Sequence, residues 1–210
     1  MTQSAEASPV PPAPVARPSA VLLAAGRSIR MGSDKALLEV NGIALWRRQR
    51  DVLAAAGASE IFLSARPDQP WAETADGFNA VVRDVVPGFG PIAGITAALE
   101  RAAHSHLLVL AIDLPRMPAA WFGRLLRDCS AGMGAVGRRE GMFEPLAAVY
   151  PRELLPVCHA AIARGHRSLQ ALLAAAVAEN RMREHEITAA ETPWFENWNE
   201  RGFPAPKSKS

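Results

Sequence analysis

Short apolar runs alternate with longer amphipathic segments along the first half of the chain. Runs of strand length, each bounded by polar or turn-forming residues, occupy 19–25 (SAVLLAA), 59–65 (SEIFLSA), 79–86 (NAVVRDVV) and 106–113 (HLLVLAID). Such runs are typical of strands buried on both faces of a parallel sheet. Between them, apolar residues at helical spacing over 43–57 stop at Gly57, and 90–103 opens with Gly-Pro, which predicts two helices.

The order of these elements predicts the fold class. With a second, poorly marked helix between Asp68 and Gly77, the order is βαβαβ, which implies parallel strands, right-handed crossovers and helices on both faces. Beyond Pro118 the pattern predicts a helix to about Cys129, strands near 134–139 and 145–150, and helices across 151–164 and 167–179. The sequence therefore predicts an α/β protein with a mostly parallel sheet.

Length and composition favour one domain. A chain of 210 residues with 49% hydrophobic and 21% charged residues can bury a substantial core. We expect the domain to span 19–203, between a disordered Pro-rich tail at 1–18 and a disordered tail at 204–210. The start lacks the basic and apolar regions of a secretory signal, and no apolar run approaches the ~20 residues that cross a membrane.

Charge and cysteine content narrow the function classes. The net charge of +2 comes from 23 basic and 21 acidic residues that are spread along the chain, which argues against nucleic-acid binding. Cys129 and Cys158 fit no metal or redox spacing and are expected to be two buried thiols. A cytoplasmic protein without a membrane anchor is the expectation.

The stretch LLAAGRSIRMGSDKALLEVNG, residues 22–42, is the first candidate for chemistry. Gly26 and Gly32 permit close backbone approach to a ligand, while Arg27, Arg30 and Lys35 supply positive charge. This combination suits a polyphosphate, although the stretch is neither a Walker A loop nor a dinucleotide fingerprint. A solvated turn with exposed charges is the alternative from spacing alone.

Two carboxylates follow predicted strands at the edge where ligands bind in open α/β sheets. Asp113 comes at the end of one apolar strand and Asp84 at the end of another, and such carboxylates can hold Mg²⁺ together with phosphate oxygens. Helix-capping or turn aspartates are the alternative. The segment 88–94 (GFGPIAG) would bring glycines and a helix N-terminus to the same site. The five histidines are scattered and are expected at the surface or at caps.

Taken together, these motifs resemble those of nucleotidyltransferases that activate sugar phosphates and cofactors with a nucleoside triphosphate. The opening stretch, GPIAGI, the strand that ends in Asp113, EPLAAVY (144–150) and ENWN (196–199) are most similar to the molybdenum cofactor guanylyltransferase family. The likeness runs from about Ala20 to Asn199. It implies a Rossmann-like three-layer nucleotidyltransferase fold and Mg²⁺-dependent transfer of GMP from GTP to molybdopterin, with release of pyrophosphate.

The resemblance also implies roles for individual residues. The positions expected to contact the nucleotide are Leu23, Ala24, Ala25, Gly26, Lys35, Ser64, Asp84 and Asp113. Arg30 and Lys35 would neutralise phosphate charge, and Asp113 would also bind Mg²⁺. Asn197 and Asn199 match a paired asparagine motif on the side of the acceptor phosphate.

Three departures from the family pattern keep alternatives open. Leu-Ala-Ala-Gly stands where Leu-Ala-Gly-Gly is usual, Ser64 stands where asparagine is common, and ERGF replaces the usual Thr-Pro and acidic residues after NWN. CTP could therefore replace GTP, or a sugar phosphate could replace the pterin. A non-catalytic nucleotide-binding or partner-binding module is the alternative from another class. Its apolar helices over 151–179 would dock a molybdoenzyme or its chaperone.

Overall fold

The computed structural model describes residues 17–26, 34–86 and 88–197. The strands are β1 (Ser19–Leu23), β2 (Glu39–Val40), β3 (Ile43–Ala44), β4 (Glu60–Ser64), β5 (Ala80–Val82), β6 (His106–Ala111), β7 (Gly134–Arg139), β8 (Met142–Phe143), β9 (Ala147–Pro151) and β10 (Met182–Glu186). The α-helices are α1 (Leu45–Ala55), α2 (Pro91–Arg101), α3 (Ala119–Asp128), α4 (Leu155–Ala163) and α5 (Leu169–Ala178). Residues 1–16 and 198–210 lie outside the described ranges, so the disorder of both tails and the exact domain limits stay predictions.

Eight strands form one mixed sheet. Its order is β10-β7-β9-β6-β1-β4-β5, and β8 pairs with β7. β1, β4, β5 and β6 run parallel to one another, whereas β9 is antiparallel to both β6 and β7. Leu23 at the end of β1 lies opposite Ser64 and Ala111, the last residues of β4 and β6. This register brings the carboxyl ends of three buried strands to one edge.

The helices cover both faces of the sheet. Along β1, Ala20 and Leu22 join the core cluster that contains residues of α1 and α3. Val21 and Leu23 point the other way, into the cluster that contains residues of α2, α4 and α5. Because successive side chains of a strand face opposite sides, one apolar run supplies both cores. The predicted three-layer α/β fold is confirmed.

Several element predictions need correction. β5 ends at Val82, so Asp84 follows the strand in a loop, and the helix expected near 68–77 is a single 3₁₀ turn over Pro70–Glu73. The helix expected over 151–164 starts with a 3₁₀ turn, Arg152–Leu154, before α4 begins. The sequence patterns also missed the small β2–β3 hairpin and the edge strand β10.

The cysteines and one histidine are buried. Cys129 and Cys158 are free thiols, as predicted, and burial raises their pKa values to about 12 and about 11. His106 is also buried, and its ring nitrogens lie 2.9 Å from the Ser105 hydroxyl and 3.0 Å from the Met133 carbonyl oxygen. The expectation of a surface or capping role is therefore wrong for His106. None of the described helices has the length and hydropathy to cross a membrane.

Candidate active site

A cavity of about 830 Å³ lies at the carboxyl ends of β1, β4, β5 and β6. The strand register explains its position, because the chain leaves each of these parallel strands at the same edge and the following loops surround a common space. Six of the residues singled out in the sequence line this space. They are Leu23, Ala25, Gly26, Ser64, Asp84 and Asp113.

The other predicted residues have different positions. Lys35 and Ala24 are not among the described residues that line the cavity. The Ala24 N–H donates to the Ser64 carbonyl oxygen at 2.8 Å, and the Ala24 carbonyl oxygen accepts from Gln69 Nε2 at 3.0 Å, so both backbone groups bond within the protein. Arg30 and Asn199 lie outside the described residues.

Ser64 has an unusual environment for a hydroxyl. Its side chain is buried, and Oγ has no hydrogen-bond partner among the described residues. α2 passes very close by, since a Cβ placed on Gly94 would lie 2.7 Å from Ser64 Oγ and 3.3 Å from Asp84 Oδ1. A buried hydroxyl without a partner is costly, and a polar ligand group in the cavity would relieve that cost.

The two predicted carboxylates both face the cavity. Burial raises the pKa of Asp84, and the nearby Arg66 guanidinium partly opposes this effect. Asp113 Oδ2 accepts a hydrogen bond from Asn197 Nδ2 at 2.7 Å, which joins the end of the described chain to the site. The resemblance implied a metal and nucleotide role for Asp113 and an acceptor role for Asn197, and the structure brings the two side chains into contact.

The Asp84 and Asp113 carboxylates are suitable ligands for a hard divalent cation that takes its remaining ligands from water and substrate. No group of three or more histidine, cysteine or acidic side chains forms a cation cage among the described residues. Mg²⁺ commonly binds through one or two carboxylates and takes its remaining ligands from water and substrate phosphates. Asp113, with Asp84 lining the same cavity, meets this requirement.

Arg66 and Arg83, which the sequence patterns missed, also line the cavity. Arg66 lies two residues beyond the end of β4, and Arg83 directly follows β5. The missed signal was their position just after parallel strands, the same signal that identified the aspartates. Arg66 pairs with Asp68 at 2.8 Å and Arg83 pairs with Glu73, so the two guanidinium groups bring positive charge to the cavity wall that these carboxylates partly balance.

The predicted helix start at Gly-Pro completes the wall. Gly90 precedes α2 with φ of 98°, a conformation that favours glycine, and Pro91 is the first helical residue. Both residues line the cavity together with Gly88. The N-terminus of α2 therefore lies at the cavity, where the helix dipole favours negative charge.

The chain is similar in sequence to known proteins. The family model for the MobA-like NTP transferase domain matches residues 20–183. The chain is 42% identical over 181 residues to the "Probable molybdenum cofactor guanylyltransferase" of Opitutus terrae, covering 85% of this chain and 88% of that one. It is 36% identical over 163 residues to the molybdenum cofactor guanylyltransferase of Pseudomonas putida strain GB-1, covering 76% and 84%.

Solved structures share the fold. Molybdopterin-guanine dinucleotide biosynthesis protein A of Archaeoglobus fulgidus aligns with a TM-score of 0.67 and 20% identity, covering 85% of this chain and 91% of that one. The 2-C-methyl-D-erythritol 4-phosphate cytidylyltransferase of Thermus thermophilus aligns with a TM-score of 0.62 and 20% identity, covering 83% and 91%. At these identities the likeness concerns the fold alone.

Proposed function

Because the chain belongs to the MobA-like NTP transferase family, we propose that it transfers GMP from GTP to molybdopterin, forming the guanine dinucleotide cofactor and releasing pyrophosphate. The observation that carries this proposal is the cavity at the strand ends. There, three carboxylates (Asp68, Asp84 and Asp113), two arginines and a helix N-terminus surround one space of about 830 Å³. Relatives that align with most of the chain are named molybdenum cofactor guanylyltransferases, and these names support the choice of GTP and of the pterin acceptor.

Both reactants are anions, so the protein has to hold them in line and offset their charge. The acceptor phosphate is the nucleophile and attacks the α-phosphorus, with pyrophosphate as the leaving group. No side-chain nucleophile is needed. We assign Leu23, Ala25 and Gly26 to the nucleotide-binding wall, and Ser64 and Asp84 to further nucleotide contacts. Ala24 supports this wall from behind, because its backbone groups bond to Ser64 and Gln69.

The charged residues take the phosphate side of the reaction. Lys35 and Arg30 are assigned to the charge that develops on the leaving pyrophosphate. Asp113 is the residue that would hold Mg²⁺, which supplies positive charge to phosphate oxygens when it is bound. Asn197 and Asn199 are assigned to the acceptor phosphate, and the Asn197–Asp113 hydrogen bond supports an acceptor side next to the metal side.

Isothermal titration with GTP and then CTP, each with Mg²⁺, tests the nucleotide assignment. We expect a clear preference for GTP despite Ala25 and Ser64. Incubation with GTP and molybdopterin should then release pyrophosphate and yield the guanine dinucleotide, which mass spectrometry identifies. A preference for CTP would change the reaction to cytidylyl transfer, and binding of neither nucleotide would favour a non-catalytic module.

The setting of this reaction is part of the proposal. We place the protein in the cytoplasm, where a molybdoenzyme or its chaperone would receive the product. The alanine-rich helices α4 and α5 are the candidate docking surface for that partner. Pull-down of a molybdoenzyme by the protein loaded with its product would test this part.

A further inference from the structure

The loop after β4 contacts the opening stretch at two separate points. At the first point, Arg66 Nη1 donates hydrogen bonds to the carbonyl oxygens of Ala25 at 2.8 Å and Gly26 at 2.7 Å. Arg66 Nε donates to Asp68 Oδ1 at 2.8 Å, which orients the guanidinium. Because a trans peptide is planar, fixing the Ala25 carbonyl also fixes the opposite direction of the Gly26 N–H at the cavity wall.

Gln69 extends this contact to the second point. Its side chain is 2% exposed, and Nε2 donates both to the Ala24 carbonyl oxygen at 3.0 Å and to Asp34 Oδ2 at 2.6 Å. Its Oε1 accepts from the Arg66 N–H at 2.6 Å. The buried Gln69 amide therefore links the end of β1 to Asp34 and to Arg66.

Trp71 and Asp34 complete the second point. Trp71 Nε1 donates to Asp34 Oδ2 at 2.7 Å, and Asp34 Oδ1 accepts from the Ala36 N–H at 3.1 Å. Asp34 thereby caps the 3₁₀ turn Lys35–Leu37. The backbone position of Lys35 depends on a cap that the loop after β4 holds in place.

We propose that Arg66, Gln69 and Trp71 form a clamp that fixes Ala25–Gly26 and Asp34–Lys35 in the arrangement that receives the nucleotide phosphates. This inference rests on the proposed function for its ligand, GTP. Gln69 and Trp71 are positioning residues, because neither lines the cavity and both act through Asp34, Gln69 also through the backbone of Ala24. Arg66 lines the cavity and also holds the Ala25 and Gly26 carbonyls.

A clamp that fixes these backbone segments before the nucleotide binds should strengthen the affinity for GTP. When a binding-competent arrangement is only a fraction of the population, the apparent Kd rises by the inverse of that fraction. A nucleotide that has bound restores the arrangement, so turnover at saturation changes little. Loss of the clamp should therefore raise KM and Kd for GTP while leaving kcat nearly unchanged.

Gln69→Met is the sharpest test, because methionine keeps the length of the side chain and removes its hydrogen bonds. We expect the Kd and KM for GTP with Mg²⁺ to rise roughly tenfold, with kcat changed less than about threefold. In the ligand-free protein, hydrogen exchange at the Ala36 amide should become faster. Unchanged GTP affinity in Gln69→Met would overturn the clamp.

Gln170→Met is the matched control. Gln170 exchanges two hydrogen bonds with the backbone of Phe143, at 3.0 and 2.9 Å, and neither residue lines the cavity. This variant should lower Tm to a similar extent, with GTP affinity within about twofold of wild type and with unchanged exchange at Ala36. Equal losses of affinity in both variants would reduce Gln69 to a stabilising residue and contradict the clamp.

The exchange experiment separates this inference from the proposed function. If wild-type protein binds no GTP, the proposed function fails, while faster exchange at Ala36 in Gln69→Met alone still supports the clamp. If wild-type protein makes the dinucleotide and Gln69→Met leaves both affinity and exchange unchanged, the clamp fails and the function stands.

Discussion

Two side chains at the cavity, Ser64 and Asp84, are wholly or partly buried at a cost in free energy. Ser64 keeps a buried hydroxyl without a partner among the described residues, and burial raises the pKa of the Asp84 carboxyl. Both groups are less well solvated at these positions than they would be in bulk water. A ligand with complementary polar groups recovers this free energy on binding, so unfavourable burial at these positions favours occupation of the site.

Lys35→Ala tests the cation assigned to the nucleotide phosphates. We expect kcat/KM to fall by roughly two to three powers of ten, the scale for removing one positioned electrostatic stabiliser. Steady-state pyrophosphate release measures the effect. Arg47→Ala is the control, because Arg47 is an exposed cation paired with Asp76 at 2.9 Å and should leave turnover unchanged. Equal activity of Lys35→Ala and wild type would exclude Lys35 from the mechanism.

Asp113→Asn tests the metal-binding carboxylate. The amide removes the charge that would hold Mg²⁺, so Mg²⁺-dependent turnover should be lost while the circular dichroism spectrum stays native. Asp76→Asn, at an exposed carboxylate away from the cavity, should keep full activity. If Asp113→Asn unfolds, the carboxylate has a structural role, as the alternative of a capping aspartate requires.

At the scale of elements, α2 lies against the strand ends only because it carries glycine at position 94. A Cβ there would lie 2.7 Å from Ser64 Oγ and 3.1 Å from Leu23 Cδ2. A glycine inside a helix costs about 1 kcal/mol relative to alanine. Close approach of the helix to the nucleotide wall offsets that cost at this position.

Gly94→Ala and Gly123→Ala form a matched pair. Gly123 lies in α3, where an added Cβ would meet no atom within 4 Å, so Gly123→Ala should gain up to about 1 kcal/mol from helix propensity. Gly94→Ala must displace the Ser64 hydroxyl or α2, so it should lower both Tm and GTP affinity. Thermal melts and titration measure both effects. A stabilised Gly94→Ala with normal affinity would show that the close approach is unimportant.

The elements differ in how well the sequence could predict them. β1 and β6 are buried at every residue, so their apolar runs indicated parallel strands directly. β10 (MREHE) was missed because most of its residues are exposed at the sheet edge and polar. The cavity was predictable because strand ends define it. The Gln69–Asp34 contact was not, because local patterns do not report contacts between side chains 35 residues apart.

At the scale of the whole molecule, the last described residues fold back onto the site and the loop between β6 and α3. Asn197 donates to Asp113, and Arg116 pairs with Glu196 at 2.7 Å. Upstream, the buried Glu191 accepts from the Thr188 N–H and hydroxyl and pairs with Arg124 of α3. Anchoring at Glu191 therefore contributes to the position of Asn197 on the acceptor side.

Glu191→Gln tests this anchor through its pH dependence. Burial alone would raise the pKa of Glu191, but the hydrogen bonds from Thr188 and the Arg124 guanidinium outweigh it and hold the pKa below that of an ordinary glutamate. At pH values between the folded and the unfolded pKa of Glu191, the unfolded chain therefore binds more protons than the folded protein does. The stabilisation is therefore complete above the unfolded pKa and is lost as pH falls through the folded one. We expect Glu191→Gln to cost about 1 to 2 kcal/mol at pH 7.

Thermal melts from pH 7 to pH 3 measure the difference between Glu191→Gln and wild type. The loss corresponds to about 2 to 8 °C in Tm near neutrality, and the gap should narrow as the wild-type carboxylate takes up its proton. Glu184→Gln removes the partner of Arg138. Because Glu184 is 34% exposed and Glu191 only 2%, this change should shift Tm much less, since ion pairs near the surface contribute little. A gap of constant size down to pH 3 would mean that packing, and not the charge of Glu191, holds the C-terminal segment against α3.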